Sequence, residues 1–318
     1  MKKIETYDAS LIQKYGAFAF LIVMLSGNCV FTNNFMRIST LWLLIVQSFP
    51  IIIVGLGMTL VIASGGIDIS VGAVMAFSGT VLAHLMVNLK LPLWICIIVC
   101  LLSAAALGAV NGFIIAKFRI QPIVVTLVMM LVARGLAQLV TSGRPVPFSY
   151  MPLNKIANFR FWQRGLPIQF ILALVMILLF AFILKRTVFG KQVQGMGDNF
   201  NASGLIGINT FAVTVIIYAI CATTAGLATI IEVGRESQAE AARMGIYMEL
   251  NAIAAVAVGG TPLTGGRARI WGTACGALIM QLVGMTVNMN GILSSWGMVA
   301  KAVILILAVY LGSDRSKA

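Results

Sequence analysis

The chain has 318 residues, 60% of them hydrophobic and 10% charged, with a mean hydropathy of +1.01. Soluble domains carry about 25% charged residues, so this composition excludes a soluble globular protein and implies an all-α, polytopic membrane protein. The net charge of +13 does not indicate nucleic acid, because the basic residues sit mostly between apolar runs, where membrane topology accounts for them.

In chain order the hydropathy predicts about ten membrane segments, with cores at 15–31, 41–63, 67–87, 93–116, 122–141, 167–185, 211–231, 247–260, 270–288 and 296–312. The first resembles a signal peptide only loosely. No Ala-x-Ala site follows Phe31 and further spans follow directly, so it reads as a retained first helix. The segment at 247–260 is short for a full crossing and reads as broken or re-entrant. An even number of spans puts both termini on one side. Placing them in the cytoplasm leaves twelve basic residues inside and eight outside, as the positive-inside rule favours.

The second span runs into ASGGIDIS, where Gly65 and Gly66 precede Asp68 and Ser70. Backbone polar groups cannot stay unpaired in lipid, so a break at membrane depth must be buried in protein or line a cavity. The pattern predicts a turn and then a helix start, with Asp68 or Ser70 capping the amides that the break leaves free. A cap-and-hinge role for Asp68 is preferred; contact with a solute or proton, or with a partner subunit, stays open. Gly259 and Gly260 lead a weaker echo, AIAAVAVGGTPLTGG. Two glycine-interrupted segments suggest a transporter with internal pseudo-symmetry.

Polar residues inside apolar runs are candidates for a translocation pathway: Asn111, Thr126, Arg134, Glu249 and Asn251, together with Gln121, Gln138, Gln281, Asn288 and Lys301. Arg134 and Lys301 read first as structural, each paired with a carbonyl or an acid. Few intramembrane acids and no acid–base relay favour a neutral polar solute. The five cysteines and the single histidine, His84, offer neither a zinc site nor a hydrolytic triad, so neither a metal site nor catalytic residues are expected.

Three polar segments remain. Residues 142–166 are expected as an external loop. Residues 186–210 form the longest cytoplasmic stretch, in which NASGLIG has the spacing of a short helix between turns. Residues 232–246 are expected outside, with Glu232, Glu236 and Glu240 on one helical face. They read either as a solvated helix or, preferably, as an interaction surface. The chain has no G-x-x-x-x-G-K-[ST] motif, so active transport would draw on an ion gradient or on another subunit.

Five stretches carry a resemblance: GMTLVIASGGIDISVGAVMA, VNGFIIAKFRIQPIVVTLVMMLVARGLAQLVTSG, GKQVQGMGDNFNASGLIGIN, ELNAIAAVAVGGTPLTGG and GTACGALIMQLV. In order and spacing they are similar to the permease subunit of bacterial ABC importers for monosaccharides such as ribose, xylose, galactose and galactofuranose. The resemblance implies one transmembrane permease domain over 1–318, set in the bacterial inner membrane and lacking any cofactor of its own. It implies a second permease chain, identical or related, two cytoplasmic ATPase subunits that hold ATP and Mg, and a periplasmic sugar-binding protein. It places the contact with the ATPase at Gly197, Asn201, Ala202, Gly204, Gly207 and Ile208, within 186–210. Arg235, Glu236, Glu240 and Arg243 become candidates for docking the binding protein. The family usually has Asp where this chain has Asn251, and Arg267 and Arg269 make the later turn unusually basic. The alternative reading is a secondary transporter that couples solute to an ion gradient through Asp68 and Glu249.

Overall fold

The computed structural model describes residues 2–149, 151–161 and 165–312, with side chains from residue 15 onward except 151, 311 and 312. The chain is built from helices: α1 (Lys2–Phe31), α2 (Ile38–Ala63), α3 (Val71–Val87), α4 (Leu93–Phe118), α5 (Pro122–Thr141), α6 (Met151–Ala157), α7 (Ile168–Arg186), α8 (Val188–Asp198), α9 (Phe200–Leu205), α10 (Thr210–Glu236), α11 (Met248–Val258), α12 (Ile270–Met289) and α13 (Ser294–Gly312). Two short strands, β1 (Val146–Pro147) and β2 (Gln238–Ala239), pair antiparallel with Val146 opposite Ala239.

Local chemistry sets most boundaries. Pro92, Pro122 and Pro167 stand at the starts of α4, α5 and α7, where a missing N–H costs nothing. Between α7 and α10 the chain turns on three side-chain caps. Thr187 accepts from the amide of Gly190, Asn199 from Ala202 and Asn209 from Ala212, at 2.9–3.2 Å. Each satisfies an amide that a helix start leaves free. Arg119 and Ser142 stop α4 and α5 in the left-handed region, with φ of 53° and 52°.

α2 is the central element. From Phe49 to Ala63 all its side chains are buried, and it packs on α7, α10, α11 and α12. α10 packs in turn on α3 and α4, while α1 and α13 flank α12. Between helices in lipid, apolar burial brings little hydrophobic gain, so close backbone approach carries the packing. Accordingly, a Cβ on Gly108 or Gly112 of α4 would overlap the α10 backbone, and one on Gly276 of α12 would overlap Ala255 of α11.

The expected apolar segments fall on α1 to α5, α7 and α10 to α13. Among the described residues six helices are long and apolar enough to cross a membrane: α2, α4, α5, α7, α10 and α12. The apolar parts of α1, α3, α11 and α13 are shorter, so length alone does not give ten crossings. α11, at eleven residues, spans about 16 Å at 1.5 Å per residue, far short of the ~30 Å hydrocarbon layer.

Two sequence expectations are corrected. The third segment begins at Val71 and not at residue 67, because the break at Gly65 continues through Ser70. The face expected for Glu232, Glu236 and Glu240 forms only in part: Glu232 and Glu236 lie four apart on α10, but Ser237 adopts φ 55° and ends the helix at Glu236, so Glu240 is off it. Gln238–Ala239 then pairs with β1, which leaves Glu240 between β2 and the turn at 241–247.

Candidate functional site

The first break is pinned from two sides. Asp68 is fully buried, and its Oδ1 accepts from the amide of Ser70 at 2.9 Å and from its hydroxyl at 2.6 Å. Ser70 stands at the N-cap of α3, but its own side chain makes no capping bond. Asn111 of α4 donates through Nδ2 to Ser70 Oγ at 3.0 Å, and Thr126 of α5 donates to the carbonyl of Ile67 at 3.4 Å. Both residues, singled out from sequence for a pathway, are buried here as supports of the break. Asp68 Oδ2, Asn111 Oδ1 and Tyr218 Oη are buried with no hydrogen-bond partner among the described residues.

The second break follows α11. Gly260, Gly265 and Gly266 all have positive φ, at 81°, 93° and 84°, and Thr261 Oγ1 accepts the amide of Arg269 at 3.0 Å. Here the two breaks meet a third element. A Cβ on Gly197, in α8, would collide with the carbonyl of Ala63 and the amide of Gly266, and one on Gly265 would press on Gly65 and Gly197. Gly65 (φ 88°), Gly197 and Gly265 therefore form a side-chain-free junction. Of the six residues that the resemblance placed at a coupling contact, Gly197 lies in this junction. Asn201, Ala202, Gly204 and Gly207 are exposed on or just after α9, and Ile208 packs partly on the core. Beside them Leu205 and Ile206 are 89% and 77% exposed. Sequence reading passed over this apolar tip, whose signal was Leu–Ile between two glycines in an otherwise polar loop.

A second close approach joins the starts of α3 and α11. A Cβ on Gly72 would overlap the carbonyl of Gly245 and approach Glu249 Oε2, so Glu249 sits half-buried against α3. Arg134 of α5 donates through Nη1 to the carbonyls of Ala241 and Met244 at 2.8 and 2.7 Å. It thereby holds the turn that leads into α11. Arg243 Nε lies 3.6 Å from Glu240 Oε1, an ion pair within the turn region after α10. Arg243 and Glu236 are exposed, and Arg235 and Glu240 are half-buried, so the four docking candidates share one end of α10 without forming a single helical face. No group of three or more His, Cys, Asp or Glu side chains is placed to hold a metal among the described residues.

Asn251 lies apart from Asn111, Thr126 and Arg134. It lines a cavity of about 560 Å³ between α11, α12 and α13, with Tyr247, Asn288 and Lys301. Lys301 Nζ donates to Asn251 Oδ1 at 3.1 Å, and Asn251 Nδ2 donates to the carbonyl of Tyr247 at 2.9 Å. The expectation that Lys301 pairs with a carbonyl or acid thus resolves to an amide oxygen fifty residues away.

A family profile described as "Branched-chain amino acid transport system / permease component" matches residues 40–309. The ribose import permease protein RbsC of Escherichia coli strain K12 is 36% identical over 300 residues, covering 93% of this chain and 92% of that protein. The galactofuranose transporter permease protein YtfT of the same strain is 35% identical, covering 85% of this chain and 78% of its own length. The fructose import permease protein FruF of Bifidobacterium longum strain NCC 2705 is 32% identical, covering 77% and 69%. No solved structure matches the chain. A membrane chain whose two breaks meet at one junction, and which aligns along nearly its whole length with these relatives, belongs to the permease subunits of bacterial ABC sugar importers.

Proposed function

We propose that the chain is one permease subunit of an ATP-driven importer that moves a monosaccharide across the bacterial inner membrane by alternating access. The relatives named for ribose, galactofuranose and fructose support a pentose or hexose as cargo. In this reading the chain crosses the membrane about ten times with both termini in the cytoplasm. It pairs with a second permease chain, identical or related, receives sugar from a periplasmic binding protein and rests on two cytoplasmic ATPase subunits. ATP and Mg belong to those subunits.

The observation that carries the reading is the path from the tip of α9 to the two breaks. Leu205 ends a capped, six-residue helix and Ile206 follows it; both are exposed apolar side chains, suited to a cleft on a partner. α8 precedes that helix and touches both breaks through Gly197. A push on α9 would reach both breaks through main-chain contact alone. Arg235, Glu236, Glu240 and Arg243 lie at the opposite end of α10 from the α8–α9 region. They suit docking of the binding protein, where charge sets register more than affinity.

The test is uptake of labelled D-ribose, D-fructose, D-galactose and galactofuranosides in cells that express this chain with its partner subunits. It is run with and without an ionophore at constant ATP. ATP-dependent uptake that survives the ionophore and needs this chain is the expected result. Uptake that collapses with the gradient would return Asp68 and Glu249 to the role of coupling acids and overturn the proposal.

A further inference from the structure

Lys301 is a cation in the middle of an apolar helix, α13, whose neighbours Val299, Ala300, Ala302 and Val303 give it no polar company. Charged side chains inside membrane segments are costly and face protein interior or an aqueous cavity. The ammonium has three N–H donors; one goes to Asn251 Oδ1. Asn251 cannot swing away freely, because its Nδ2 is engaged with the carbonyl of Tyr247. Asn251 thus holds the ammonium on one side, and both residues line the cavity of about 560 Å³. Among the described residues no acidic one lines that cavity.

The walls narrow the chemistry of an occupant. Leu250, Ala254, Met280 and Leu305 are apolar, Tyr247 adds an aromatic side chain, and Asn288 and Ser294 add polar groups. The volume lies within the ~300–1,000 Å³ of small-molecule pockets. A free amino acid would bring an ammonium towards Lys301 with no carboxylate to receive it. A neutral, polyhydroxylated ring brings only oxygen acceptors and apolar C–H faces, which match the donors and the walls.

We propose that this cavity is where the sugar rests inside the permease, with Lys301 donating to vicinal hydroxyl oxygens and Asn251 acting as its positioning residue. The inference rests on the sugar-importer reading above and names the contact through which that cargo is read. The site stays weak, because a single cation and an apolar wall bind a diol without enclosing it. That suits a way-station from which release must be quick.

The experiment uses the complete transporter in proteoliposomes supplied with ATP, with D-ribose, D-fructose, D-galactose, a galactofuranoside and L-leucine as probes. Lys301→Met is expected to raise KM for the transported sugar about ten- to a hundredfold, the range for losing a hydrogen bond from a charged donor. The maximal rate at saturating sugar should change little. Lys301→Gln, which keeps donors, should recover part of that loss, and Asn251→Ala should raise KM by a smaller factor. In a Cys29→Ser background, a cysteine substituted at Ser294 reports occupancy directly. Sugar should slow its maleimide labelling with Lys301 present and should not with Lys301→Met. Unchanged KM and unchanged protection in Lys301→Met would overturn this inference while leaving ATP-driven sugar uptake intact. Uptake of L-leucine in place of every sugar would instead overturn the sugar-importer reading, and the inference with it.

Discussion

The amide of Gly266 donates to the carbonyl of Ala63 across 3.0 Å, so the loop after α11 satisfies the last turn of α2. That carbonyl is one of the acceptors a helix end leaves without an intrahelical partner. Gly197 lies on the same two groups, which puts α8 in contact with the place where both breaks are joined.

Gly197→Ala therefore introduces a methyl where Ala63 and Gly266 leave no room. The expected cost is about 1–3 kcal/mol from overpacking, read as a lower midpoint of thermal unfolding in detergent, together with loss of ATP-driven uptake. Gly204→Ala is the matched control. Nothing lies within 4 Å of its added methyl, and alanine favours the helix by roughly 0.5–1 kcal/mol, so stability should hold or rise. Equal destabilisation by the two changes would remove the junction from the account.

At the first break, Asp68→Ala and Asp68→Asn should differ. Alanine leaves the buried amide and hydroxyl of Ser70 without the acceptor they share, at a cost of about 1–3 kcal/mol. Asparagine keeps an acceptor in place, so its thermal midpoint should lie close to that of the parent and its uptake should remain insensitive to ionophore. Parent uptake that collapses with the ionophore, together with Asp68→Asn uptake that no longer responds to it, would instead mark Asp68 as a coupling group.

Arg134→Met removes both bonds to the carbonyls of Ala241 and Met244. Hydrogen bonds from charged donors are worth about 1.5–3 kcal/mol, and the loss should be local. Amide hydrogen exchange over 241–247 is expected to accelerate while that of α2 stays slow. Uniform acceleration across the chain would show Arg134 supporting the whole bundle.

Leu205→Glu and Ile206→Glu change side chains that touch little of the chain itself. Surface substitutions usually fall within about 0.5 kcal/mol, so the purified subunit should melt as before. Co-purification of the ATPase subunit and ATP-driven uptake should both fail. Normal assembly with both charged residues in place would move the ATPase contact elsewhere.

Much of the scaffold is legible in the sequence because its causes are local. Pro92, Pro122 and Pro167 announce helix starts, Asn199 and Asn209 announce caps, and the Gly65–Gly66 pair announces the first break. The short helix at α9 follows from the same kind of signal. What could not be read depends on partners far along the chain. Asn111 reaches Ser70 across 41 residues, Arg134 reaches Ala241 across 107, and Lys301 reaches Asn251 across 50. Sequence can mark such residues as polar in an apolar run, but only the packing of α4, α5 and α13 tells a strut from a surface that meets cargo. The end of α10 was missed for a related reason. The four-residue spacing of Glu232, Glu236 and Glu240 continues past Ser237, whereas the helix ends there and β2 pairs with the distant β1.

The contact among Gly65, Gly197 and Gly265 is made of main chain only. A side-chain interface can be retuned stepwise, with larger, smaller or differently charged residues trading places on either side. At Gly197 no gentler substitute exists, because every other residue adds at least the atom for which there is no space, whereas at Gly65 and Gly265 the positive φ of 88° and 93° is what disfavours a side chain. Selection can keep such a joint or discard it, but cannot adjust it. Second-site suppressors of a lesion at Gly197 should therefore map to residues that shift whole helices, along α2, α8 or the loop from Gly259 to Arg269, and not to the other two glycines.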